Sequence, residues 1–234
     1  QASTATRLHS FKPVAHCENL AFGSNDSLAI VGSPLQAPND HAFWLFSLQS
    51  KVLSSPFSQR PMTQRNLSAL SFSNNGQYLA LGASNREKGI RVYAVQGLEA
   101  SLSKELKTGG DISALSFAKD VNYLAGGGSD QSVSLWKWQT GQKFWNSPWR
   151  KGRSDFLGAL SFSPDDASIA VCGSGAGIPV SVYRKGNGKI TAELGESFSM
   201  TCSGLVFNRS GNALYTVRHL YSNFGELVLK RYSL

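Results

Sequence analysis

Apolar residues in this chain fall into short runs separated by polar turns. The clearest case lies between Asp111 and Trp138, which reads DISALSFAKDVNYLAGGGSDQSVSLWKW. Ile112 to Phe117 is a run of apolar and small residues, Lys119 to Asn122 is polar, and Tyr123 to Gly127 is a second short run. Val133 to Trp138 is a third, rich in β-branched and aromatic residues. Runs of this length bounded by turn residues predict β-strands. The pattern repeats. Leu-Ser-Phe stands at Leu70 to Phe72, Leu115 to Phe117 and Leu160 to Phe162, with weaker echoes at Leu20 to Phe22 and Leu205 to Phe207. The markers Phe22, Phe72, Phe117, Phe162 and Phe207 are separated by steps of 50, 45, 45 and 45 residues, which gives five units. A period of about 40 to 45 residues with some four strands per unit predicts propeller blades and not a helical solenoid.

The residues that repeat also resemble a known family. Leu-Ser-Phe-Ser, a few polar turn residues, a strand ending in Gly, then Ser129-Asp130 and the strand Val133-Ser134-Leu135-Trp136, resemble the WD40 repeat, and the resemblance covers nearly the whole chain. It implies an all-β fold, a β-propeller of five four-stranded blades. Units fall at about 17–61, 62–108, 109–155, 156–199 and 200–234, so that 1–234 is expected to be one domain. In such propellers an extra N-terminal strand commonly completes the last blade. Residues 4–11, with Thr4 to Phe11 beside Glu226 to Tyr232, are expected to do so here and to close the ring, leaving no bare sheet edge. Departures from the family pattern are visible: Lys137, Ala94 and Arg184 follow Trp136, Tyr93 and Tyr183 where Asp is usual, and Gly109-Gly110 is the nearest trace of a Gly-His pair. Stability is therefore expected from blade packing more than from the family's side-chain hydrogen bonds.

Inner strands sandwiched between two neighbouring blades should carry no charge, and Leu67 to Ser73 and Gly158 to Ser163 carry none. Asn74-Asn75-Gly76, Pro164-Asp165-Asp166 and Asn208 to Gly211 read as tight turns, and Ser33 to His41, Gly173 to Gly177 and Arg218 to Phe224 as loops. The net charge is +8, from 23 Lys and Arg against 15 Asp and Glu. Nine cations assigned to the loops of one face, Arg218 among them, meet seven anions, so the excess is spread over the surface. Three cysteines cannot all pair, and Cys172 and Cys202 lie in apolar stretches, which points to reduced, buried thiols and an intracellular, cytoplasmic location. No apolar run is long enough to span a membrane. The start at Gln1, without a methionine, suggests a processed product or a fragment of a longer chain.

Candidate chemistry is sparse. His9, His16, His41 and His219 are scattered without metal-ligand spacing, and no Gly-x-Ser-x-Gly elbow occurs. The carboxylates Asp26, Asp120, Asp165 and Asp166 fall in turns and not on inner strands. The glycines Gly173 to Gly177 precede no helix, so they read as a turn and not as a phosphate cradle. The expectation is a protein that is not an enzyme and takes no metal or cofactor. The resemblance implies a scaffold that binds a protein or peptide through loops on one face. The local signal for a binding corner is Phe144 to Arg153, FWNSPWRKGR, where aromatics and cations interleave. Trp149, Arg150 and Arg153, joined by Arg65, Arg86, His41 and Tyr221, are the candidate binding residues; Trp145 is expected to cover the flank of its blade. Weak RNA binding at the Trp149 and Arg150 corner is the alternative, and a five-bladed glycan-binding or glycan-hydrolysing propeller a more distant one.

Overall fold

The computed structural model describes residues 14–24, 26–35, 41–57, 67–83, 89–149, 157–176, 180–195, 199–220 and 227–234. These form β-strands and no helix. The first unit gives β1 (Val14–Phe22), β2 (Ser27–Pro34) and β3 (Ala42–Ser47), and the second β4 (Leu67–Phe72), β5 (Tyr78–Ala83), β6 (Gly89–Gln96) and β7 (Glu99–Leu106). The third gives β8 (Ile112–Phe117), β9 (Tyr123–Gly128), β10 (Ser132–Lys137) and β11 (Gln142–Pro148). The fourth gives β12 (Leu157–Phe162), β13 (Ser168–Ala176), β14 (Val180–Arg184) and β15 (Ile190–Leu194), and the fifth β16 (Ser199–Phe207), β17 (Ala213–Leu220) and β18 (Leu227–Ser233). Each unit is an antiparallel meander, and the five are the blades of a β-propeller.

Blades 2, 3 and 4 have the expected four strands; blades 1 and 5 have three among the described residues. In blade 1 the fourth place is held by two single bridges, Phe43 to Phe57 and Phe46 to Leu53. Thr4 to Phe11, expected to pair beside β18, lies outside the described residues. Blades 4 and 5 share one sheet, because β13 runs on to pair with β16, Ser174 opposite Thr201 and Ala176 opposite Ser199.

The same turn joins the first two strands of blades 2 to 5, and blade 1 turns with one residue fewer. The fourth residue after the marker phenylalanine has a positive φ each time: Asp26 54°, Gly76 68°, Val121 63°, Asp166 63° and Gly211 76°. Glycine adopts this conformation freely, whereas a β-branched side chain is strained in it. Val121 is held there by a neighbour, since the Trp138 indole Nε1 donates to its carbonyl at 2.6 Å.

Packing follows from strand alternation. A bulge between Ile112 and Ala114 puts Ile112, Leu115 and Phe117 on one face of β8, and Ala114 on the other. β4, β12 and β16 are bulged at the matching place. Every blade thus has a large-residue face turned toward the preceding blade and a small-residue face turned toward the next. Four core clusters result, one in each gap. Leu67, Leu79 and Leu81 meet Ala29 and Val31; Leu115 and Phe117 meet Ala69 and Ala80; Leu157 and Leu160 meet Ala114 and Ala125; Phe207 and Leu214 meet Ala170 and Cys172. Burying one such Leu or Phe stabilises by about 1.5–3 kcal/mol. No comparable packing joins β16 to β1 among the described residues. The outermost faces accordingly leave Phe22 70% and Leu229 71% exposed.

Polar links tie the same gaps. The Phe117 amide donates to Ser71 Oγ at 3.2 Å, Ser113 Oγ donates to the Leu157 carbonyl at 2.5 Å, and Trp145 Nε1 donates to the Lys185 carbonyl at 2.7 Å. Lys185 Nζ bonds Asp166 at 2.6 Å and Asp120 at 2.9 Å, joining the turns of blades 3 and 4. Burial alone would lower its pKa, but the hydrogen bonds and charges of Asp166 and Asp120 together outweigh burial and raise it. That contribution to stability is therefore present below the ordinary lysine range and lost as pH rises through the raised folded value.

The cysteines depart from expectation. Cys172 on β13 and Cys202 on β16 form a disulfide, with Cα atoms 5.8 Å apart and a sequence separation of 30; Cys17 is free and exposed. The reading of three reduced thiols failed because Cys172 ends the small-residue face of blade 4 while Cys202 opens the large-residue face of blade 5, so the gap brings them together. Thiol titration of the denatured protein is expected to yield one free thiol per chain. Reduction, or Cys202→Ala, should lower unfolding stability by about 2–4 kcal/mol; three thiols and no effect of reductant would refute the bridge. Replacement of Val121 by Gly is expected to raise stability by roughly 0.5–1 kcal/mol in urea unfolding. A loss of that size would show that the turn carries no strain.

Candidate functional site

The top face of the disc is the one where the inner strands begin. In blade 3 it is built around the turn Ser129 to Gln131, with Gln131 at a φ of 55°. The Asp111 amide donates to Ser129 Oγ at 2.8 Å, and Gly110 lies so close that an added Cβ would meet the Asp130 amide nitrogen at 2.7 Å. The Gly109-Gly110 pair thus lets the incoming chain lie directly on this turn, where a larger residue would push it off.

Trp149 follows β11 on this face. Its amide donates to the Gln131 carbonyl at 2.9 Å, which folds the chain back over the end of the blade. The indole is only 6% exposed and belongs to the core between blades 3 and 4, with Val133, Leu135 and Leu157. It supports the corner from beneath and offers no free ring. Trp145 covers the flank of its blade as expected, stacked on Tyr183 with ring centroids 6.2 Å apart. Burial pushes the Tyr183 phenol well above its ordinary range, so it stays neutral. Phe144 is the exposed aromatic of this stretch, with the Lys137 ammonium 5.6 Å from its ring.

His41 is buried, and its Nε2 lies 2.8 Å from Glu18 Oε1 on β1. It ties the start of β3 to β1 within its own blade and does not face solvent. Its Nδ1 is buried without a partner. Arg65, Arg86, Arg150, Arg153 and Tyr221 lie outside the described residues.

Arg218 was counted among the loop cations and lies instead within β17, 4% exposed, opposite Cys202. A signal for this was present in the spacing. Eleven residues after their markers stand Ala83, Gly128 and Gly173, all in or beside second strands, and the same count from Phe207 reaches Arg218. The polar neighbours Ser222 and Asn223 made the stretch read as loop.

Two clefts open on the described surface away from the top face. One of about 500 Å³ lies on the rim of blade 2 against Tyr78, Val95 and Glu99; another of about 380 Å³ lies between blades 4 and 5 against Asp165, Thr191, Phe207 and Leu234. Asp165 accepts from Ser163 Oγ and the Ala167 amide, bonds that hold its carboxyl below the usual range. Asp120 and Asp166 do converge, but on Lys185. Among the described residues no group of three His, Cys, Asp or Glu could hold a metal ion, and no helix is long and apolar enough to cross a membrane.

Because Trp149 is core, Trp149→Ala is expected to cost about 3–5 kcal/mol of unfolding stability. Urea denaturation checks this, and unchanged stability would return the ring to the surface.

Comparison with known proteins matches one stretch of the chain. Residues 101–137 match the family model of the WD domain, G-beta repeat. The match runs from β7 to β10, so the sequence repeat takes the outer strand of blade 2 with the three inner strands of blade 3. No curated protein matches the chain. Residues 101–137 thus carry a repeat of the WD domain type within a β-propeller of five successive four- or three-stranded antiparallel blades.

Proposed function

We propose that the chain is a non-catalytic scaffold that binds a protein or peptide partner through the loops of its top face. The WD40 repeat within a propeller carries this reading, since such a disc presents loops on a rigid support. The β13–β16 ladder and the disulfide, which hold the strands of blades 4 and 5 together, support the reading by providing a rigid base.

The described part of the top face favours protein over RNA. Stacking of bases requires open aromatic rings beside cations, whereas the Trp149 indole and the Arg218 guanidinium are both buried. A glycan-hydrolysing reading lacks support from the carboxylates, which sit in turns, two of them bound to Lys185. The disulfide favours an oxidising compartment over the cytoplasm.

Capture of partners on the immobilised chain, compared at low and physiological salt and with nuclease treatment, tests the reading. A protein ligand is expected to persist at about 0.15 M salt, while single-stranded RNA followed by fluorescence anisotropy should bind weakly and fade, as phosphate contacts do. Submicromolar RNA binding at the higher salt would overturn the scaffold reading.

A further inference from the structure

Arg218 occupies a place that the other blades give to a very small residue. Counted by register, the positions opposite the first residue of the large-residue face are Gly32, Ala83, Gly128 and Gly173, facing Cys17, Leu67, Ile112 and Leu157, and then Arg218 facing Cys202. In blade 3 even a Cβ there would lie 1.8 Å from the Asp111 carbonyl oxygen. Blade 5 encloses a whole guanidinium, 4% exposed, whose Nε and Nη2 have no hydrogen-bond partner. The apolar cluster of this gap includes Cys172, Val180, Val182 and Leu194 from blade 4, and among the described residues no carboxylate bonds the guanidinium.

Two further buried groups in the same gap are unpaired. Thr216 Oγ1, two residues back on the same face of β17, has no partner, nor does the Tyr232 hydroxyl, whose ring centroid is 5.9 Å from the guanidinium carbon. An arginine can only donate, and both hydroxyls can. Four donor atoms, two of them on a buried cation, are left unpaired among the described residues, an arrangement that is strongly unfavourable unless an anion completes it. The unpaired atoms also define its shape. Nε–H and one Nη2–H project in parallel from a single edge of the planar guanidinium, at the spacing of the two oxygens of one carboxylate. Water could satisfy the donors but would leave the charge unbalanced.

We propose that Arg218, Thr216 and Tyr232 form a binding site for a single carboxylate group in the gap between blades 4 and 5. The group belongs either to a small organic acid or to an acidic side chain carried by a partner. The site uses none of the top-face loops and stands independently of the scaffold reading.

Thermal unfolding of the full chain in sodium formate or acetate, against chloride at equal ionic strength, is the direct test. Formate at ten times its half-saturating concentration is expected to raise Tm by about 3–6 °C, with no rise in chloride. Arg218→Met should abolish the shift and leave the anion-free protein as stable or more so, since it replaces an unpaired buried charge with an apolar group of similar length. Tyr232→Phe and Thr216→Val should each raise the half-saturating concentration about 5–10-fold. A Glu-containing peptide that competes with formate, and needs Arg218 to do so, would identify a partner side chain as the source; formate binding without peptide competition would identify a small acid. Absence of a formate effect, or an equal effect in Arg218→Met, would overturn the site. So would a formate effect that appears only after Glu196→Gln or Glu226→Gln, because the chain's own carboxylate would then be the occupant.

Discussion

The fold depends on one fit, a face of large side chains laid on a face of small ones, made again in each gap between blades. Leu115 and Phe117 need the shallow surface of Ala69 and Ala80, and would clash with a second row of leucines. The inner strands spell this requirement out. Leu and Phe alternate with Ala and Ser because one strand must serve both a deep face and a shallow one, and the bulge near its start shifts the first large residue onto the deep side. Ser71 and Ser113 remain compatible with the narrow gap because each finds a backbone partner across it. Small-residue content near the axis is therefore a geometric demand of wedge-shaped packing.

Links at the rim replace what the family's terminal Asp and Gly-His pair would supply. With Lys137, Ala94 and Arg184 at the Asp positions, the polar stitching has moved to other atoms: Trp138 to the Val121 carbonyl, Trp145 to the Lys185 carbonyl, and Lys185 to Asp120 and Asp166. These bonds join turns and outer strands, away from the axis. A surface pair of this kind contributes little by itself. Lys185 differs in being largely enclosed, with the Tyr123 ring 4.7 Å from its ammonium.

What was legible in the sequence was whatever repeats. The Leu-Ser-Phe ruler located all five inner strands, and Asn74-Asn75-Gly76 located the turn with a positive φ at Gly76, whereas the positive φ at Val121 has no hint in its residue type. Single departures from the repeat were misread. Trp149 looked like an interface anchor because Trp beside Arg and Pro resembles a contact corner; its burial depends on a backbone bond to Gln131, eighteen residues earlier, which composition cannot show. Cys172 and Cys202 looked like isolated apolar thiols because their pairing requires knowing which faces of blades 4 and 5 meet. Arg218 was assigned to a loop by its polar surroundings, although its distance from Phe207 placed it in a strand. In each case the deciding quantity was a register across strands or a gap.

The three misread features gather in the last two interfaces of the chain, and the gap between blades 4 and 5 is built differently from the others. The row of β17 facing blade 4 runs Leu214, Thr216, Arg218, where β5 has Leu79, Leu81, Ala83 and β13 has Ile169, Val171, Gly173. Thr216 at the place of Leu81 and Val171 removes apolar contact from this gap, and Arg218 puts a cation where Ala83 and Gly173 put almost nothing. Two devices found in none of the other gaps among the described residues stand beside that loss: the Cys172–Cys202 bridge, one residue of which is the direct partner of Arg218, and the β13–β16 ladder just beyond it. A covalent bond and a backbone ladder hold two blades together without needing the side chains between them to be apolar. The reinforcement and the polar row thus belong to one arrangement, in which the strands are fixed by the backbone so that the side chains between them are free to serve chemistry other than packing.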